Sequence, residues 1–187
     1  MSKQKAIFIV IAAVLIIGGA YLFFGGIRSS NPDISKSESR GAVLGENPVD
    51  KGNLTEEYMS PDYEFSFRYP KDFSATELED DAGATVLLQK SDAREGFQIY
   101  ISEFDEAGPI TPERIKKDLP DMVVNSPQHV LIGENKDIPA LIFLSKHESL
   151  GDVREVWFTT NGALFQLTAY ADMDNFIGPI LETLTFE

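Results

Sequence analysis

The spacing of apolar residues divides the chain into three stretches. From Ala6 to Ile27, twenty-two positions pass without a charge (AIFIVIAAVLIIGGAYLFFGGI). A helix of that length rises about 33 Å, against roughly 30 Å of bilayer hydrocarbon. Residues 1–5 carry Lys3 and Lys5, which favour a cytoplasmic amino terminus; Arg28 stands on the other flank. The pattern predicts a short cytoplasmic tail at 1–5 and a transmembrane signal-anchor helix at 6–27. A cleaved signal peptide, cut after Gly18-Gly19-Ala20, is the competing reading, but Tyr21, Leu22, Phe23 and Phe24 extend the apolar run past that point. A pilin-like helix is disfavoured because the early acidic residue expected of one is missing.

Residues 28–57 lose this character at once. Ser, Gly, Asn and Pro fill thirteen of the thirty positions, and none is aromatic. Such a segment buries too little surface to fold and reads as a flexible stalk.

Residues 58–187 hold sixteen of the twenty aromatic residues, mainly with a period of two. Tyr63, Phe65, Phe67 and Tyr69 alternate with Glu64, Ser66 and Arg68, as in a strand with one buried face. Further strands are predicted at 85–90, 97–103, 130–133, 138–146, 153–160 and 163–171. Hairpin turns fall at 134–137, 149–152 and Asn161-Gly162, the last a pair that tolerates positive φ at both positions. Thr111, Pro112 and Glu113 announce a helix that ends at Pro120. A second helix, capped by Asp172 or Asp174, carries Phe176, Ile177, Ile180, Leu181 and Leu184 on one stripe, with Pro179 an awkward member. Consecutive hairpins with a helix at either end predict an α+β fold with an antiparallel sheet.

Composition narrows the chemistry. There is no cysteine, so disulfides, thiolate metal sites, a cysteine nucleophile and a lipoprotein anchor are excluded. The formal net charge of -14 is carried entirely by residues 58–187, where ten Lys and Arg face twenty-four Asp and Glu. A surface of that sign repels phosphate backbones, so nucleic acid is not an expected partner. The only histidines are His129 and His147. Pairing 133 with 138 across the expected turn sets His129 opposite Ile142, roughly 16 Å from His147, too far to share a metal. Phosphate-loop, zinc-helix, nucleophile-elbow and dinucleotide motifs are absent, and no cofactor is implied. Glu77, Glu79, Asp80 and Asp81 form an acidic run, of which Glu79, Asp80 and Asp81 are the weak candidates for calcium. They lack the ligand spacing of a calcium loop, and a solvated hairpin loop is the simpler reading. Asp172-Met173-Asp174-Asn175 reads as helix capping on the same grounds. Trp157 is expected in the core or half-buried.

YEFSFRYPKDF, IGENKDIPALIF and VWFTTNGALFQLTAYA…FIGPILETLTFE, spread over nearly all of 58–187, resemble the PsbP-like family. This is the fold of the extrinsic photosystem II subunit, shared with the nuclear-import factor that binds the GTPase Ran. The resemblance implies a central antiparallel sheet flanked by helices, an α/β/α sandwich, with no shared catalytic residues and a role in binding other proteins. Photosynthesis does not follow from it.

The expectation is therefore a single-pass protein of the cytoplasmic (inner) membrane, its amino terminus inside and its globular domain outside. That domain is expected to be a monomeric, non-catalytic interaction module that meets a protein or peptide through an acidic surface. The alternatives are a carboxylate-dependent envelope hydrolase and a weak calcium-responsive binder. A pocket with convergent carboxylates would favour the hydrolase, and a shallow surface with an apolar patch the module.

Overall fold

A computed structural model describes residues 49–91, 95–106 and 108–187. The predicted anchor at 6–27 and the stalk as far as residue 48 lie outside the described residues. Among the described residues no helix is long and apolar enough to cross a membrane.

Among the described residues ten strands and two helices follow a 3-10 turn at Lys51–Asn53. In chain order they are β1 (Leu54–Ser60), β2 (Phe65–Pro70), β3 (Phe73–Asp80), β4 (Gly83–Lys90), β5 (Gly96–Glu103), α1 (Pro112–Asp118), β6 (Asn125–Ile132), β7 (Ile138–His147), β8 (Gly151–Thr160), β9 (Ala163–Tyr170), α2 (Asp174–Leu181) and β10 (Thr185–Phe186). Seven strands form one antiparallel sheet in the order β3-β4-β5-β9-β8-β7-β6. The turn at Asn161-Gly162 takes φ of 49° and 76°, the twist that closes a two-residue hairpin between β8 and β9.

One face of this sheet packs against α2 and a second, three-stranded sheet ordered β1-β2-β10. Phe65 and Phe67 of β2 meet Val86, Ile99, Phe158 and Phe165 there, all at most 2% exposed. Each such side chain contributes about 1.5–3 kcal/mol by leaving water. The fold is thus α+β, but this layer is a small sheet plus a helix rather than helices alone. The aromatic strand expected at 63–69 belongs to the small sheet and begins at Phe65. Glu64, at φ 51°, turns the chain into it.

The folded unit also starts earlier than Tyr58. β1 pairs with β2 from Leu54, which is buried, and Val49 N–H donates to Asn175 O at 3.1 Å. This last bond accounts for Pro179 inside α2. Proline has no N–H to give the carbonyl four residues back, which is that of Asn175, and Val49 takes the vacant acceptor. Asp172 and Asp174 do not cap α2. Met173 occupies the cap position without a side-chain bond, because the Asp174 carboxylate is held by Arg154 Nε and Nη2 at 2.7 and 2.6 Å. Leu184 is buried with the stripe but lies beyond the helix end.

The β6–β7 register also differs from expectation. Ile132 pairs with Ile138, leaving five residues in the turn, and Gly133 N–H goes to Leu181 O instead of the ladder. His129 therefore opposes Leu141, and His147 lies six residues further on, about 20 Å at 3.3 Å per residue.

Candidate functional site

The other face of the seven-stranded sheet is only half covered. α1 is set by Thr111, whose hydroxyl accepts from Arg114 N–H at 3.2 Å, and by Pro112 at its first position. Its one buried residue, Ile115, joins Phe104, Ile110, Leu141, Phe143, Trp157 and Leu164 in a second apolar cluster. Arg114 stacks over Phe104 at 4.6 Å and pairs with Glu106, holding the helix from its outer side. Beyond Asp118 the chain turns through Leu119 and Pro120 to Met122 and leaves part of the sheet bare.

A cleft of about 340 Å³ opens there. Strand alternation and the order β5-β9-β8-β7 bring Gln98, Tyr100, Gln166, Thr168, Glu155 and Ser145 onto its sheet side. Leu119, Pro120 and Met122 form the opposing apolar wall. Among the described residues four polar side chains are buried, and three of them (Gln98, Ser145 and Glu155) line this cleft. Buried polar groups cost free energy unless paired. Their concentration on one uncovered face marks it out.

Glu155 is the centre of the arrangement. It is 6% exposed. Its Oε2 accepts from Trp157 Nε1 and from Thr168 Oγ1, each at 3.0 Å, while Oε1 accepts no hydrogen bond among the described residues. Burial pushes its carboxyl up to about 7, against the partial relief of those two bonds. Arg154, its neighbour in sequence, points to the opposite face and is committed to Asp174. Lys146, also on the cleft, is 72% exposed and lies 3.9 Å from Asp152. No basic side chain among the described residues is paired with Glu155.

Trp157 is 3% exposed and packs edge-on against Phe143 at 5.6 Å. It is in the core, as its aromatic strand predicts, yet one side of it lines the cleft. Glu155 was open to detection as well. Val153, Glu155 and Trp157 share one face of β8, and an acid between two apolar residues of a buried face is the anomaly to look for.

Of Glu77, Glu79, Asp80 and Asp81, only Asp81 lies in the hairpin turn. The first three belong to β3, which pairs with β4 through Asp80 and Gly83. Glu79 and Asp80 are consecutive in a strand and point to opposite faces. Asp80 Oδ1 accepts from Ala82 N–H at 2.8 Å and Gly83 N–H at 3.1 Å, closing the turn, and Glu77 accepts from Tyr58 and Ser60 hydroxyls. The strand geometry does not gather Glu79, Asp80 and Asp81 around one point. His129 is exposed on β6, away from the cleft, while His147 lines it and its Nδ1 accepts from Ser149 N–H at 3.2 Å.

The structure is similar to the solution structure of cyanobacterial PsbP (CyanoP) from Synechocystis sp. PCC 6803. The TM-score is 0.49 and the sequence identity 13%, over 77% of this chain and 99% of that one. It bears the name of the family that the strand and turn motifs resemble; partner and activity do not transfer at this distance. Sequence comparison finds no matching family model and no matching curated protein.

Proposed function

We propose that the domain is a non-catalytic interaction module that receives part of a protein or peptide partner in the cleft between the uncovered sheet face and the segment following α1. The observation that carries this reading is the 340 Å³ cleft itself, with buried polar groups on one side and an apolar wall on the other. That combination fits a ligand whose apolar body is fixed by a few polar contacts. The net charge of -14 on residues 58–187 favours a basic partner and speeds its encounter. The apolar run at 6–27 and Lys3 and Lys5 support display of the domain outside the cytoplasmic membrane, the amino terminus inside.

The test is crosslinking of the membrane-borne chain to its partner, comparing Met122→Trp with Leu131→Ala. Met122 lines the cleft, whereas Leu131 is exposed on β6. Loss of the crosslinked product in the first variant alone supports the cleft. Equal yields from both would remove it from the interaction.

One observation favours a second reading. A carboxyl held near 7 inside a cleft, with Asp118 and Asp121 on its lining, is suited to a general acid. On that reading the chain is a carboxylate-dependent envelope hydrolase. Turnover of an envelope polymer, abolished by Glu155→Gln, would establish it and displace the binding module.

A further inference from the structure

Glu155 lacks what a buried carboxylate needs. Its side chain is buried on the sheet side of the cleft, where one oxygen accepts from two neutral donors and the other accepts no hydrogen bond among the described residues. An ionised carboxylate in that position costs several kcal/mol unless a cation joins it. The protein supplies none among its described residues. The surroundings would nevertheless suit one: the Trp157 and Tyr100 rings line the same cleft, as do the carbonyl-bearing Gln98 and Gln166, and the wall formed by Leu119, Pro120 and Met122 would cover an aliphatic stem.

We infer that the cleft is a receptor for a single cationic side chain of the partner, a lysine or arginine, whose charged head pairs with Glu155 Oε1 while its methylene stem lies against Leu119, Pro120 and Met122. This rests on the binding reading above and gives it a ligand class. A volume of about 340 Å³ is near the lower end of small-molecule sites, which suits one long side chain rather than a folded segment. The other ionisable groups on the cleft are Asp118 and Asp121 from the end of α1 and the segment after it, Lys146 and His147 from β7, and Tyr100 from β5. The acids add to the attraction, and Lys146 opposes it from an exposed position already beside Asp152.

Proton and guest compete for the same carboxylate. With Glu155 titrating at about 7, the guest binds about tenfold more weakly at pH 6 than at pH 8, since it must displace a proton at the lower pH. A lysine ammonium stays charged throughout that range.

The test uses the full chain and two probes: Nα-acetyl-lysine N-methylamide, and the same compound acetylated on its ε-nitrogen. Trp157 is the only tryptophan, so its fluorescence and its indole N–H resonance report on the cleft directly. The lysine probe is expected to give a saturable response, the acetylated probe a response about tenfold weaker or less. Affinity for the lysine probe should drop about tenfold from pH 8 to pH 6, and His147→Gln should leave that drop in place. Glu155→Gln keeps an acceptor for Trp157 and Thr168 and should abolish both the discrimination and the pH dependence. If that variant does not fold, the probe pair and the pH profile of the unaltered chain decide the matter. Equal affinity for the two probes, a flat pH profile, or no saturable response to the lysine probe overturns the cation receptor. Partner crosslinking that still depends on Met122 in that case would leave the cleft as a binding site of other chemistry, whereas loss of that dependence removes the site itself.

Discussion

The Trp157 indole N–H donates to Glu155 Oε2 at 3.0 Å, so a ring that fills the second apolar cluster also holds the buried acid in place. The strand alternation that sets the two residues on one face of β8 makes this bond local, while Thr168 reaches the same oxygen from β9.

Stability should carry the signature of this acid. Its carboxyl in the folded chain sits near 7, above the ordinary value of 4.5. Between those values the folded chain keeps a proton that the unfolded chain has lost, so stability falls as pH rises through the window and levels off above it. The integrated effect is about 3 kcal/mol. Urea unfolding of the parent chain and Glu155→Gln from pH 4.5 to 8 should show the difference between them growing by roughly that amount and then becoming constant. A constant difference throughout would place the carboxyl in its ordinary range.

Trp157→Ala should destabilise the domain by about 3–5 kcal/mol, through lost burial and the cavity left beside Phe143. It also removes a donor from Glu155. Denaturant unfolding followed by circular dichroism measures the first effect. A loss below about 1 kcal/mol would mean that the ring is not part of the core.

The Arg154–Asp174 pair ties β8 to α2 with two charge-assisted bonds and little exposure of the guanidinium. Arg154→Met is expected to cost about 2 kcal/mol, leaving Asp174 half-buried without its partner. A double-mutant cycle with Asp174→Asn should recover part of that loss. Additive single effects would show that the two residues are not coupled.

A chain beginning at Val49 should fold as a monomer, and one beginning at Tyr58 should be several kcal/mol less stable or unfolded. The shorter form loses Leu54 from the core, half of the β1–β2 ladder and the bond from Val49 to Asn175. Comparable thermal midpoints for the two would show that β1 before Tyr58 contributes nothing.

The apolar run at 6–27 is expected to remain on the mature protein and to hold it in the membrane through alkaline extraction. Intact mass locates the first residue. Recovery of a form starting at Tyr21 would make the run a cleaved signal peptide.

Where the alternation of apolar residues was strong, in β5, β7, β8 and β9, the strands and the Asn161-Gly162 turn could be read directly from the residues. β1 escaped because its apolar residues, Leu54, Tyr58 and Met59, show no period of two and Met59 is exposed, while the residue buried at its end is the polar Ser60. β3 escaped for a related reason: its inward positions include Ala75 and Glu77, and its acids look like a loop until Glu77 is found to accept from Tyr58 and Ser60. The cleft could not be read at all. Gln98, Ser145, Glu155 and Gln166 come from four strands, and only the spatial order β5-β9-β8-β7 makes them neighbours.

The bond between Val49 and Asn175 also fixes where the first described residues join the domain. It fixes the chain's point of attachment to the α2 layer, behind the seven-stranded sheet, while the cleft opens on the front. Whatever enters the cleft therefore approaches from the side of the sheet opposite to the entry of the chain at residue 49.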